Sequence, residues 1–147
     1  MRILILHGPN LNMLGRRNKQ HYGEFTLDDL YETLSDLYPS VEFTFYQSNY
    51  EGELLEVLHE SIDEPYHALL INPGPLTHTS IALRDALEMI PYRKIEVHLS
   101  DIEAREDFRK LDLIKDVCEK RFMGKKMESY IEALEYVFSL MQQHPSS

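Results

Sequence analysis

The stretch that decides the fold is Arg2-Ile3-Leu4-Ile5-Leu6-His7, which is followed at once by Gly8-Pro9-Asn10. A continuous apolar run of this length, stopped by turn-forming residues, is typical of a buried strand. The opening of the chain therefore predicts a strand that ends in a turn, and the residues that follow indicate which kind of sheet it enters.

Helical and β-rich stretches alternate along the rest of the chain. Residues 26–37 carry leucines at helical spacing, with Thr26 as N-cap and two aspartates in the first turn. Further helices are predicted over 51–62, 79–90 and 127–141, and strands over 41–47, 67–72 and 94–99, with a short charged fifth strand over 121–123. Such alternation implies an α/β fold with helices on both faces of a parallel sheet. We expect one domain over residues 1–147.

Composition narrows the classes of function. The 25 acidic and 15 basic side chains give a net charge of −10, which argues against nucleic-acid or anionic-membrane binding. A small anionic substrate stays compatible with this charge, because a pocket can be locally positive. The short apolar start predicts no signal peptide, and no run predicts a membrane span. The single cysteine, Cys118, allows no internal disulfide, so a reducing cytoplasm is the expected location.

Polar residues follow the predicted strands. In open α/β sheets, ligands bind outside the carboxyl ends of the strands. These ends carry Asn10, Ser48-Asn49, Asn72-Pro73-Gly74 and His98-Leu99-Ser100. The sequence therefore predicts a ligand site at this edge of the sheet.

Glu96 and His98 form the first candidate for chemistry. Alternate residues of a strand point to one face, so the carboxylate and the imidazole emerge together. A carboxylate fixes the tautomer of the ring and favours the imidazolium, which suits a general acid. The alternative is a half-buried structural histidine beside a surface glutamate, and the pair alone favours that alternative.

A basic segment over residues 16–23 has the position of a mobile lid, and it contains Arg17 and Tyr22. A tyrosine acts as a base near neutral pH only where close cations stabilise its phenolate. Arg105 and Arg109, four residues apart in a segment with helical character, can both face one carboxylate ligand. The alternatives are a solvated loop for Tyr22 and surface ion pairs with Glu106 or Asp107 for the two arginines.

Thr77-His78-Thr79-Ser80 follows the third strand and opens a predicted helix. Backbone N–H groups at such a place favour an anion or an electron-rich oxygen, although hydroxyl residues are also ordinary helix caps. The chain contains no Gly-Lys-Ser/Thr phosphate loop, Gly-x-Gly-x-x-Gly turn, His-Glu-x-x-His helix or Gly-x-Ser-x-Gly elbow. The sequence thus carries none of the usual phosphate-loop, dinucleotide, metal-helix or nucleophile-elbow motifs.

Several ordered blocks resemble one family, the type II 3-dehydroquinate dehydratases. They run in family order from residue 3 to about 109. The blocks are Gly8-Pro9-Asn10-Leu11-Asn12-Met13-Leu14-Gly15, Arg17, Tyr22-Gly23, Gln47-Ser48-Asn49-Tyr50-Glu51-Gly52-Glu53-Leu54, Ile71-Asn72-Pro73-Gly74, Thr77-His78-Thr79-Ser80, Ala82-Leu83-Arg84-Asp85-Ala86, Glu96-Val97-His98-Leu99-Ser100 and Ala104-Arg105-Glu106. Together they outweigh the structural alternatives given above.

The resemblance implies a flavodoxin-like fold and a cofactor-free lyase that dehydrates 3-dehydroquinate to 3-dehydroshikimate through an enolate, in the shikimate pathway or in quinate catabolism. It implies that Tyr22 is the base, activated by Arg17 and Arg105, and that Asn10 stabilises the enolate. His98, oriented by Glu96, would protonate the leaving hydroxyl. The implied substrate-binding groups are Asn72, His78, Arg109 and the backbone of Leu99 and Ser100. Asp85 would reach a neighbouring subunit's site, in a dodecamer built from trimers.

The chain departs from the family pattern in several places. Asp101 and Glu103 bring negative charge near the expected carboxylate site, and Asn18-Lys19 replaces Glu-Pro in the lid. Residues 110–126 lack the usual apolar, glycine-rich strand, and Glu128-Ser129-Tyr130 replaces Gly-Tyr. These departures motivate an alternative, a non-catalytic relative that binds a small carboxylate or a protein. A flavin carrier of the same fold is disfavoured, because the first loop offers no hydroxyl-rich phosphate cradle.

Overall fold

A computed structural model describes residues 1–143 of the protein; the predicted polar tail over 144–147 lies outside the described residues. Five strands form one parallel sheet in the order β2-β1-β3-β4-β5. Their bounds are Arg2–His7 (β1), Glu42–Gln47 (β2), Ala68–Asn72 (β3), Arg93–Val97 (β4) and Lys120–Phe122 (β5). This order is that of flavodoxin-like sheets, so the predicted fold class is confirmed, including the short charged fifth strand.

Within residues 1–143, five α-helices accompany the sheet. They span Lys19–Tyr22 (α1), Leu27–Leu37 (α2), Glu51–Asp63 (α3), Ile81–Met89 (α4) and Met127–Gln143 (α5). Leu27, Leu30 and Leu34 of α2 and the apolar face of α5 pack on one side of the sheet. The apolar faces of α3 and α4 pack on the other side. Because both faces are covered, Ile3, Leu4, Ile5 and Leu6 of β1 are all completely buried. In residues 1–143, no helix is long and apolar enough to cross a bilayer.

Two helix boundaries have clear local causes. Thr26 caps α2 as predicted: its hydroxyl accepts the N–H of Asp29, and the Asp29 carboxylate accepts the N–H of Thr26 in return. The helix predicted from Thr79 begins at Ile81 instead, because a 3₁₀ turn over Gly74–His78 precedes it and Ser80 is its N-cap. Ser80 therefore acts as an ordinary cap, not as an anion-binding residue.

The segment after β4 is irregular, and here one prediction was wrong. It contains two 3₁₀ turns, Ile102–Ala104 and Asp107–Lys110, and Arg105 lies between them in an extended conformation. Arg105 and Arg109 therefore do not share an α-helix. A rim of short turns lets two arginines of different backbone conformation converge on one cavity.

The loops after β1 and β3 are in direct contact. A Cβ atom on Gly8 would lie 2.2 Å from the carbonyl oxygen of Pro73, and the Gly8 N–H donates to the carbonyl of Asn72 at 2.8 Å. Only a glycine allows this approach. It brings Asn10, which follows β1 at a φ of 73°, next to Asn72 at the end of β3.

Candidate active site

A cavity opens at the carboxyl ends of the strands, where the sequence predicted a ligand site. Every predicted site residue lines it except Glu96 and Asp85. The lining residues are Asn10, Leu11, Arg17, Tyr22, Asn72, Gly74, Pro75, His78, His98, Leu99, Ser100, Ile102, Arg105 and Arg109. Glu96 lies directly behind His98, and Asp85 lies on the exposed side of α4. The structure thus gathers residues from the segments at the ends of β1, β3 and β4 around one space.

Tyr22 ends α1, and its hydroxyl lies between two guanidinium groups. Arg17 donates from Nη2 to the Tyr22 oxygen at 2.8 Å, and Arg105 donates from Nη1 at 2.6 Å. The Arg17 guanidinium also stacks 3.7 Å from the centre of the ring. Two permanent cations that donate to one phenol oxygen favour negative charge on that oxygen. The tyrosine is 8% exposed, so little water competes with these contacts.

Arg105 and Arg109 form the cationic rim of the cavity. Arg105 also donates to the Ser100 hydroxyl at 3.3 Å, and its buried Nε has no hydrogen-bond partner among the described residues. Arg109 donates from Nε to Glu106 at 2.6 Å, so it makes the ion pair of the alternative interpretation while it also lines the cavity. The rim can therefore hold a carboxylate, with Glu106 keeping Arg109 in place.

Glu96 and His98 face each other, with 2.5 Å between Glu96 Oε2 and His98 Nε2. Burial, followed by the adjacent Asp112 carboxylate, raises the pKa of Glu96 to about 10. Burial lowers the pKa of His98 to about 4. Both shifts disfavour the predicted imidazolium beside a carboxylate and favour a neutral ring beside a carboxylic acid, because neither charge is hydrated. In either form, the Glu96–His98 pair carries one proton that it can deliver to a ligand in the cavity.

A buried network supports Asn72 from below, and sequence reasoning missed it. The Asn72 side-chain amide donates to the Tyr130 hydroxyl at 2.9 Å, and that hydroxyl lies 2.8 Å from Nε2 of His7. Nδ1 of His7 lies 3.1 Å from the Tyr31 hydroxyl. The register pairs His7 with Asn72 across β1 and β3, a signal that strand alignment contains. Tyr130 comes from α5, and no local pattern indicates its role.

We predict that His7 makes the protein sensitive to acid. Burial lowers the pKa of His7 to about 3, whereas an unfolded histidine titrates near 6.5. The unfolded state then binds more protons than the folded state below pH 6.5, so the stabilisation is complete above that pH and is lost as pH falls. His7 accounts for a loss of about 2 kcal/mol of unfolding free energy between pH 7 and pH 5.

Denaturant titrations at both pH values test this prediction. His7→Gln should reduce the pH dependence of unfolding by about 2 kcal/mol, whatever it does to stability at pH 7. His59→Gln, at an exposed position of α3, is the matched control and should leave the pH dependence as it is. An unchanged pH dependence in His7→Gln would contradict a neutral buried ring.

The charges that depart from the family pattern lie outside the cavity lining. Asp101 caps the first 3₁₀ turn through the N–H of Glu103. Glu103 pairs with Arg121 at 3.0 Å, which lowers the pKa of the carboxyl group. Both carboxylates therefore make structural contacts, one as a cap and one as an ion pair. In the part of the chain that the structure describes, one group of side chains has atoms close enough to hold a metal ion, namely Glu96, His98 and Asp112.

The sequence profile of the family described as "Dehydroquinase class II" matches residues 1–138. A "3-dehydroquinate dehydratase" of Thermotoga neapolitana is 46% identical over 139 residues, which cover 93% of this chain and 94% of that protein. A "3-dehydroquinate dehydratase" of Fusobacterium nucleatum is 42% identical over 142 residues, which cover 93% of this chain and 96% of that protein. A crystal structure of a type II dehydroquinase from Butyrivibrio crossotus matches with a TM-score of 0.90 and 37% identity, over 94% and 97% of the two chains.

Proposed function

The chain belongs to the class II dehydroquinase family, and from this premise we propose that it dehydrates 3-dehydroquinate to 3-dehydroshikimate through an enolate, as a lyase of the shikimate pathway. One observation carries the proposal. Tyr22, whose oxygen accepts two hydrogen bonds from arginines, lines the same cavity as His98, and Glu96 lies directly behind His98. A base and an acid can therefore act on one substrate. A protein that only binds a carboxylate has no need of both.

The base acts first. The Tyr22 phenolate, stabilised by Arg17 and Arg105, takes a proton from the carbon next to the substrate ketone. The electron pair moves onto the carbonyl oxygen and forms an enolate. Asn10 stabilises that oxygen, directly or through a water molecule, from its position at the end of β1.

The acid completes the reaction. When the enolate collapses, the C–O bond to the hydroxyl group breaks, and His98 donates a ring proton so that water leaves. Nε2 of His98 faces Glu96, so Nδ1 is the nitrogen that serves the substrate. Glu96 replaces the proton across the 2.5 Å contact as it departs. Solvent then reloads Glu96 and removes the proton from Tyr22.

The remaining residues bind the substrate. We propose that Arg109 holds its carboxylate with a charge-assisted hydrogen bond, and that Asn72, His78 and the backbone of Leu99 and Ser100 bind its hydroxyls. The hydrogen bond from the Asn72 side chain to the Tyr130 hydroxyl fixes the orientation of the Asn72 amide. A cationic rim around a cavity in a protein of charge −10 gives the local positive field that an anionic substrate requires.

The proposal also covers the oligomeric state of the protein and its cellular compartment. We propose that the protein is a single domain over residues 1–147 that forms trimers within a dodecamer in the cytoplasm, where Asp85 reaches a neighbouring subunit's cavity. Asp85 is exposed, and Ile81 on the same helix is 64% exposed. An exposed isoleucine beside an outward-pointing carboxylate suits a subunit contact. The free thiol of Cys118 suits a reducing compartment.

A spectrophotometric assay tests the activity. Purified protein mixed with 3-dehydroquinate should produce the absorbance of a conjugated enone, at equal rates with and without a chelator. Absence of the enone signal would refute the activity. A rate abolished by the chelator and restored by a divalent metal would refute the proposed acid–base mechanism.

A further inference from the structure

A third carboxylate lies beside the Glu96–His98 pair. Asp112 precedes β5 in the irregular segment, and its side chain is only 3% exposed. One side-chain nitrogen or oxygen atom from each of Glu96, His98 and Asp112 lies within 4.8 Å of the other two. Two ionised carboxylates this close repel each other strongly, so one of them keeps a proton.

The contacts indicate that Glu96 keeps the proton. Glu96 Oε1 is fully buried and has no hydrogen-bond partner among the described residues, so an ionised Glu96 would lack donors on that oxygen. Asp112 accepts the N–H groups of Ile114 at 3.0 Å and Lys115 at 3.1 Å on one oxygen. A carboxylate held by several donors keeps its charge, whereas a carboxyl group without donors does not.

Arg121 supplies the balancing cation. Its Nη1 donates to Asp112 Oδ2 at 3.1 Å and its Nη2 donates to Glu103 at 3.0 Å, with 11% of the side chain exposed. Burial opposes ionisation of Asp112, but the adjacent Glu96 and the hydrogen bonds from Ile114 and Arg121 outweigh it and lower the pKa of Asp112. The guanidinium therefore balances the negative charge that Asp112 retains.

We propose that Asp112 is a positioning residue of the active site: its carboxylate, fixed by Arg121, lies beside the Glu96 carboxyl group and keeps the Glu96–His98 pair loaded with its proton. For its catalytic consequence the proposal rests on the function proposed above. The negative charge of Asp112 opposes loss of that proton, so the acid stays competent at alkaline pH.

Other charged or titratable groups also lie near the Glu96–His98 pair, and each one changes how tightly the pair binds its proton. Arg121 and Lys115 are cations, and they weaken proton binding by the pair. His78 acts in the same sense on His98 when it is protonated. The Cys118 thiol is buried nearby, and burial raises its pKa, so it is neutral over the working range. Asp112 is therefore the charge that offsets two cations.

Nuclear magnetic resonance of the free enzyme tests the proposal without turnover. The ring-nitrogen signals of His98, assigned by their loss in His98→Asn, report the pH midpoint at which the Glu96–His98 pair loses its proton. We expect Asp112→Asn to lower this midpoint by about one pH unit or more, because a nearby negative charge is removed. Arg121→Gln should raise it. Asp116→Asn, which removes an equal charge at an exposed position of the same segment that pairs with Arg84, is the control.

The outcomes separate the two proposals. A midpoint that stays within about 0.3 pH unit in both variants would overturn this role and leave Asp112 a purely structural residue, visible only as lower thermal stability. Shifted midpoints in a wild-type protein that does not turn over 3-dehydroquinate would refute the function and leave this role standing. In an active enzyme, the alkaline limb of kcat should move with the midpoint. If Asp112→Asn does not fold, Arg121→Gln and the double variant carry the test, and the double variant should lie below Arg121→Gln.

Discussion

Replacing Tyr22 with phenylalanine will lower kcat for 3-dehydroquinate by about a thousandfold or more, because it removes the oxygen that takes the substrate proton. A thousandfold change in rate is about 4 kcal/mol of transition-state free energy. Both guanidinium groups remain after the substitution, so KM should change far less than kcat. Steady-state rates measured by enone absorbance will show the effect.

A second measurement isolates the step. With substrate in D₂O, the wild-type enzyme should exchange the proton next to the ketone, and Tyr22→Phe should not. Tyr46→Phe removes a hydroxyl that bonds Glu53 away from the cavity, and this control should retain wild-type rates. Full activity in Tyr22→Phe would eliminate Tyr22 as the base.

Replacing His98 with alanine will lower kcat by about a hundredfold to ten-thousandfold, because the hydroxyl group must then leave without a proton. The base is untouched, so this variant should still form the enolate and exchange the substrate proton in D₂O faster than it makes product. The two variants therefore fail on different sides of the intermediate, which one exchange experiment distinguishes.

Controls for His98→Ala use the same chemistry. Added imidazole should recover part of the rate, because the deletion leaves space beside Glu96 for a free ring. His59→Ala, on the exposed face of α3, should behave as wild type. Loss of both exchange and turnover in a folded His98→Ala protein would contradict the assignment of His98 to the second step alone.

Much of the fold was predictable because it depends on local patterns. The apolar run of β1, the leucine spacing of α2 and its Thr26 cap each follow from the periodicity and the capping chemistry of a few neighbouring residues. The charged fifth strand was the least regular prediction. Its charge has a structural reason, since Arg121 pairs with Asp112 and Glu103.

The cavity was predictable in its location and in most of its residues, but its electrostatics were not. Strand ends and family-like blocks indicated Tyr22, His98 and Arg105. The proton on Glu96 depends on burial and on Asp112, one of several acids in an irregular segment without periodicity. Such a group can be recognised only when the coordinates bring it beside its partner.

The order in which the strands lie has a consequence for how the protein is made. On the ribosome, β1 leaves first, yet it lies between β2 and β3, so its apolar residues wait for residues 68–72. The Tyr22–Arg105 contact spans 83 positions, and the link from His7 to Tyr130 spans 123. A nascent chain thus contains Tyr22 long before Arg105 is available to contact its hydroxyl. Prematurely released fragments will be inert, and their uncovered first strand will be a target for chaperones.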